Sequence, residues 1–97
     1  MSGYALHPRA EADLEEIWRY SVEHWGEAQT ERYMHDLREA MERAAETPTK
    51  GQRLNIGSRT FHVRRAGSHR IFYRMTEHGI DVLRVLHARM DFGRHLG

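Results

Sequence analysis

At Gly51 the spacing of apolar residues changes from steps of three and four to steps of two, which divides the chain into a helical half and a stranded half. Before it, Ala10, Leu14, Ile17, Trp18, Ser21 and Trp25 mark one face of a helix running to about Trp25. Pro8 suits the first turn, where its missing N–H and fixed φ cost nothing. Glu11, Asp13, Glu15 and Glu16 crowd the positive end of that helix dipole. Gly26 is the expected breaker. The same spacing returns in Tyr33, Leu37, Ala40, Met41 and Ala44, predicting a second helix from about Glu27 to Glu46 that ends at Thr47-Pro48 and Gly51. Two helices joined at one glycine must fold back as an antiparallel hairpin. Trp18, Trp25 and Tyr33 are expected in the core.

After Gly51, "RTFHVRR" alternates with Phe61 and Val63 on one face, and "HRIFYRM" sets Ile71, Tyr73 and Met75 against Arg70, Phe72 and Arg74. Glu77-His78-Gly79 is a hairpin connection, and "IDVLRVLH" follows. Residues 59–87 therefore read as a three-stranded antiparallel meander. The last strand is apolar on both parities, with Ile80, Val82 and Leu86 on one and Leu83 and Val85 on the other, so it is expected to be buried on both sides. One side meets the helix hairpin, and the other needs a cover from the tail "RMDFGRHLG" or from a partner. "GYAL" before Pro8 predicts a first strand at residues 3–7, paired at the edge of the meander or beside its last strand. The expected fold is α+β, in the order β-α-α-β-β-β, with the N-terminal strand and helix hairpin packed on a curved antiparallel sheet.

A chain of 97 residues is expected to form a single domain, residues 1–97. Its longest apolar runs are too short to span a membrane, and its start lacks the basic and apolar regions of a secretory signal. With no cysteine, disulfides and cysteine-based zinc sites are excluded. These features fit a cytoplasmic protein. The net charge of +1 conceals an asymmetry. Residues 1–49 hold five arginines and eleven acids, net −6, whereas residues 50–97 hold ten basic residues and three acids, net +7. Such a split fits either a basic surface for an anionic partner or two halves that attract each other within the fold.

Cleavage of RNA by its own 2′-hydroxyl needs a base, an acid and a cation at the phosphate. His87 has the chemistry of an acid or base near neutral pH, and Arg64, Arg65, Arg70, Arg74 and Arg84 are candidate cations. The set is thin, because no acid but Asp91 lies near the His87 end. The eight histidines make no i, i+4 pair and no H-E-x-x-H motif, so no metal site is expected. Neither a glycine-elbow serine nor a phosphate-binding glycine loop is present, and no cofactor is expected. Strand arginines at every second position make either a solvated face or a preorganised basic surface.

The stretch "YALHPRAEADLEEIWRYSVEHWGEAQTERYMHDL" resembles the first half of ParE toxins in the RelE/ParE superfamily: a tyrosine-led strand, an A-x-x-D-L-x-x-I helix, then W-G and a second helix. "GSHRIFYR" resembles the family's S-H-x-I-F-Y-R strand, and "DVLRVLHARMD" its closing strand. The match covers nearly the whole chain in order.

The resemblance implies a type II toxin that traps the cleaved-DNA complex of DNA gyrase and is bound by a ParD-like, ribbon-helix-helix antitoxin in a hetero-oligomer. RelE members instead cut mRNA in the ribosome, using basic residues around the sheet and a tyrosine, or a histidine-tyrosine pair, after the last strand. Here His87 is followed by Ala88-Arg89-Met90, and no tyrosine occurs after Tyr73, which favours gyrase inhibition by a non-enzymatic toxin. The expected gyrase or DNA contacts are Arg64, Arg74, His87, Arg89, Met90 and Phe92, with DNA met only through gyrase. The expected antitoxin contacts are Tyr20, Met34, Phe72, Leu83 and Val85. A ribosome-dependent ribonuclease and a non-toxic relative that only binds its antitoxin remain the alternatives.

Overall fold

The computed structural model describes residues 3–96. Strand β1 (Gly3–Leu6) leads into α1 (Pro8–Trp25), α2 (Glu27–Glu46) and a single 3-10 turn at Pro48–Lys50. Strands β2 (Gln52–Ile56), β3 (Arg59–Ala66), β4 (His69–Thr76) and β5 (Gly79–His87) follow, and α3 (Phe92–Leu96) closes the described chain. The fold is α+β, with the expected helix hairpin against a sheet.

The hairpin turns at Gly26, whose φ of +81° is a conformation that side chains with a Cβ avoid. Its carbonyl accepts from both the backbone N–H and the hydroxyl of Thr30, at 3.2 and 2.8 Å, so the start of α2 is tied to the turn. At the start of α1, the His7 ring accepts from the Arg9 N–H at 3.1 Å and Pro8 fills the first position.

The strand order is β1-β5-β4-β3-β2. β1 lies beside the last strand, as the sequence allowed, but it runs parallel to β5, with Tyr4 opposite Ile80 and Leu6 opposite Val82. The sheet is therefore mixed. β2 was not expected. It pairs with β3 from Gln52–Val63 to Ile56–Arg59 and turns the meander into four antiparallel strands.

The helix-facing side of the sheet carries Ile71, Tyr73, Ile80, Val82 and Val85, packed with Ala10, Ile17, Met34, Leu37, Met41 and Ala44. Each large side chain so buried stabilises the fold by about 1.5–3 kcal/mol. Tyr73 donates its hydroxyl proton to the Pro48 carbonyl at 2.7 Å, so its polar end is satisfied inside this core. The outer side carries Phe61, Phe72 and Leu86, and α3 covers them through Leu96 and Phe92, the latter with its ring 5.5 Å from Phe72. The tail is thus the second cover that the doubly apolar β5 required.

The two faces of β5 are not those of simple alternation. The β4–β5 ladder shifts register between Phe72 and Tyr73, pairing Phe72 with Arg84 and Tyr73 with Val82. Leu83 is the extra residue of a bulge, which reverses the faces beyond it. Val85 therefore joins Ile80 and Val82 under the helices, while Leu86 faces outward with Phe72. Trp18 and Trp25 also depart from expectation. They are 36% and 53% exposed, because the stripe that reaches the sheet is Ala10, Asp13, Ile17 and Ser21.

Candidate functional site

One end of the sheet and the hairpin enclose an open groove of about 1240 Å³. Its sheet bank is built by Arg65, His69, His87, Arg89 and Met90, and its helix bank by Tyr20, Trp25, Arg32, Tyr33 and Asp36.

The floor is set by Asp13. β1 ends at Leu6, and the last bond along its side of β5 runs from His7 N–H to the Val82 carbonyl at 2.9 Å. Beyond that point β5 has no neighbouring strand on this side. The Asp13 carboxylate, on the first turns of α1, takes the place of one. Its Oδ2 accepts from the Val85 N–H at 2.9 Å and from Arg84 Nε at 2.8 Å, and its Oδ1 accepts from Arg84 Nη2 at 2.8 Å. Both side chains are largely buried, and the carboxylate beside it raises the Arg84 pKa. This is a two-pronged arginine–carboxylate pair with a third, backbone donor.

A second cross-link joins α2 to the β3–β4 turn. The Ser68 N–H donates to the Tyr33 hydroxyl at 3.0 Å, and the hydroxyl lies 2.6 Å from His69 Nδ1. The hydroxyl has lone pairs for Ser68 and for a protonated Nδ1 alike and a proton for the Ala66 carbonyl or an unprotonated Nδ1, so the direction of the Tyr33–His69 bond follows the ring tautomer. Burial, and secondarily the nearby His87, lowers the His69 pKa to about 4, keeping the ring neutral at physiological pH. Gly67 lies against the Tyr33 ring at a φ of +57°, which leaves no room for a larger residue in this turn.

His87 is the ladder partner of His69, the two rings meeting edge to face at 5.4 Å. His87 is exposed, and its Nδ1 accepts from the Arg89 N–H at 3.1 Å. Arg89 and Met90 follow it onto the exposed rim. Across the groove, Tyr20 stacks on His24 at 3.9 Å and meets Trp25 edge-on at 6.0 Å, forming an aromatic rim at the hairpin tip. Among the described residues no carboxylate is hydrogen-bonded to His69 or His87, and no cluster of His, Asp and Glu is arranged to hold a metal ion.

The structure brings His87, Arg89 and Met90 together and separates them from three other expected contacts. Arg64 is half-buried on the helix-facing side opposite Ile71, with Nη1 buried and without a hydrogen-bond partner among the described residues, so it is turned away from the groove-end rim. Arg74 is paired to Asp81 at 3.2 Å near the far end of β4, five residues and roughly 17 Å along the strand from His69. Phe92 is half-buried on Phe72, with the Arg70 guanidinium 5.8 Å from its ring centre.

The expected antitoxin contacts divide in the same way. Tyr20 is 56% exposed and on the groove rim. Leu83 is partly buried in the outer cluster. Met34, Phe72 and Val85 are core residues and not surface groups: Met34 turns into the hairpin–sheet interface, Phe72 lies under α3, and Val85 is carried under the helices by the bulge. Tyr33, Ser68, His69 and Asp13 were not singled out from the sequence as groove residues. His69 shares the parity of Ile71 and Tyr73, which placed it on the helix side.

A β-led helix hairpin on a sheet, with an open groove ending in exposed basic residues, defines a small α+β protein with a groove between its layers. The comparisons make this specific. Residues 4–92 match the family described as ParE toxin of type II toxin-antitoxin system, parDE. The chain is 46% identical over 96 residues to Toxin ParE1 of Mycobacterium tuberculosis, covering 98% of each. It is 40% identical over 100 residues to Toxin ParE1 of Caulobacter vibrioides, covering all of both chains, and 33% identical over 93 residues to Toxin ParE of Escherichia coli, covering 94% of this chain and 89% of that one. Its fold is similar to a solved chain described as the chromosomal ParDE TA system from P. aeruginosa, with a TM-score of 0.75 at 17% identity, over 90% of this chain and 96% of that one. The chain belongs to the ParE toxin family of type II toxin-antitoxin systems.

Proposed function

We propose that this chain acts as a single toxin domain that binds DNA gyrase, holds its cleaved-DNA complex and so blocks replication, and that a ParD-like ribbon-helix-helix antitoxin neutralises it in a hetero-oligomer. Action is by binding and not by catalysis. The observation that carries this reading is the state of the groove end. His87, Arg89 and Met90 are exposed side by side, yet the His87 Nδ1 is engaged by the Arg89 backbone and no carboxylate is hydrogen-bonded to either groove imidazole among the described residues. That arrangement supplies contact and charge and lacks an oriented acid–base pair. The exposed rim of Tyr20, His24 and Trp25 is the kind of aromatic surface that anchors a partner, and we assign the antitoxin there together with Leu83. Growth arrest on induction, relieved by co-expression of a ribbon-helix-helix protein encoded beside it, tests the toxin–antitoxin assignment. Growth unaffected by the folded protein would leave a relative that only binds its antitoxin.

A second reading is favoured by one observation, the two imidazoles of His69 and His87 beside the Tyr33 hydroxyl. A ribosome-dependent ribonuclease would produce codon-specific mRNA cuts that disappear in His87→Ala.

A further inference from the structure

We propose that the outer edge of the groove end binds the phosphate backbone of duplex DNA directly, through Arg65, Arg70 and Arg89. Arg65 and Arg70 stand directly opposite each other in the β3–β4 ladder. Like charges in that position destabilise a sheet pair unless an anion lies between them. None does among the described residues. Elsewhere Arg74 and Arg84 are matched by Asp81 and Asp13, but among the described residues no carboxylate is within ion-pair distance of Arg65, Arg70 or Arg89.

Two of the three guanidiniums are also held differently from ordinary surface arginines. Arg70 lies over the Phe92 ring at 5.8 Å, a contact that orients the group without using its N–H donors. Arg65 Nε donates to the Gly67 carbonyl at 3.2 Å, which fixes the side chain at the turn and leaves its two Nη groups without partners among the described residues. Arg89 reaches the same end because His87, two residues before it, is the ladder partner of His69, the neighbour of Arg70. Charge also selects the side of approach. The helix bank of the groove carries Glu16 and Asp36 with Arg32, whereas Arg65 and Arg89 stand on the sheet bank, so a polyanion is drawn to the sheet-side edge. Arg70 faces the outer side over Phe92 of α3, and Arg65 is its ladder partner at the groove edge.

This inference deepens the gyrase reading and rests on it for its biological setting, making DNA a direct contact and not one met only through gyrase. Its test contains no gyrase, so the two fail separately. Fluorescence anisotropy of a labelled 20-base-pair duplex is titrated with the full chain from 25 to 200 mM salt. Three phosphate contacts predict a slope of log K against log salt of about −2.7, at about 0.9 per phosphate. Arg65→Gln, Arg70→Gln and Arg89→Gln should each flatten it by about 0.9, whereas Arg53→Gln on β2 should not. Should Arg70→Gln unfold by circular dichroism through loss of its Phe92 contact, the exposed Arg65 and Arg89 variants decide alone. Absence of binding at 25 mM salt, an unchanged slope in Arg65→Gln/Arg89→Gln, or tenfold tighter binding to single-stranded RNA of the same length would overturn the inference.

Discussion

Asp13 and Arg84 lie 71 positions apart in sequence and form a two-pronged ion pair with both bonds at 2.8 Å. Because the same carboxylate also accepts from the Val85 N–H, it closes the stretch of β5 that β1 leaves without a neighbour. The pair is the main tie between the start of α1 and the functional end of the last strand. Arg84 Nη1 reaches the His95 carbonyl at 3.5 Å, so the same side chain also touches α3.

Removing one partner should cost more than the pair contributes. Asp13→Ala leaves a largely buried guanidinium and an N–H without acceptors, a loss of about 3–5 kcal/mol. For a domain of this size that lowers Tm by at least ~12 °C. Asp13→Leu combined with Arg84→Met should recover much of the loss, because apolar groups of similar volume need no partners. Urea denaturation of the single and double variants measures both.

The half-buried neutral His69 makes stability depend on pH with a definite sign. Its folded pKa of about 4 is below the unfolded 6.5, so the unfolded chain binds more protons between these values. Stability from this group is complete above pH 6.5 and is lost as pH falls toward 4. Denaturation midpoints at pH 7.5 and 5 should differ more in the wild type than in His69→Gln, which has no titrating ring. Tyr33→Phe should cost about 1 kcal/mol at pH 7.5 by deleting one hydrogen bond to the same ring.

The tail is a structural cover. Phe92→Ala should destabilise by about 1–2 kcal/mol, less than a fully buried phenylalanine, because Phe92 is only half-buried. It should also expose Phe61 and Phe72, which increased binding of a hydrophobic dye would report.

Charge reversal should separate the two ends of the sheet. Arg89→Glu, on the exposed rim, should abolish growth arrest while the protein stays folded. Arg74→Glu sits beside Asp81 at the far end and should leave arrest intact, with a stability change of at most about 1 kcal/mol from the lost exposed pair. Growth curves after induction, with melting curves of the purified variants, check both.

The helices, the hairpin at Gly26 and three of the four antiparallel strands were legible because their apolar periods are regular. β2 was not, since "QRLNI" offers only Leu54 and Ile56 as an alternating pair and becomes a strand by pairing with β3. Alternation misassigned Val85 and Leu86 because a one-residue bulge at Leu83 reverses every side chain after it. Trp18 and Trp25 were expected inside because they share the three-and-four spacing of α1, but the stripe that is buried is Ala10, Asp13, Ile17 and Ser21. Within the groove, His87 at the end of the last strand and Arg89 and Met90 just after it were expected near one another, and all three line the groove end. The Asp13–Arg84 and Tyr33–His69 ties were not, because each joins residues tens of positions apart, and local spacing carries no record of which polar groups meet.

The most direct test of the account is a gyrase supercoiling reaction containing the purified folded chain, stopped with detergent and protease and scored for linear DNA. A gyrase toxin predicts linear DNA that accumulates with toxin concentration and disappears in Arg89→Glu. Full supercoiling with no linear product, from protein shown to be folded, would contradict the central claim.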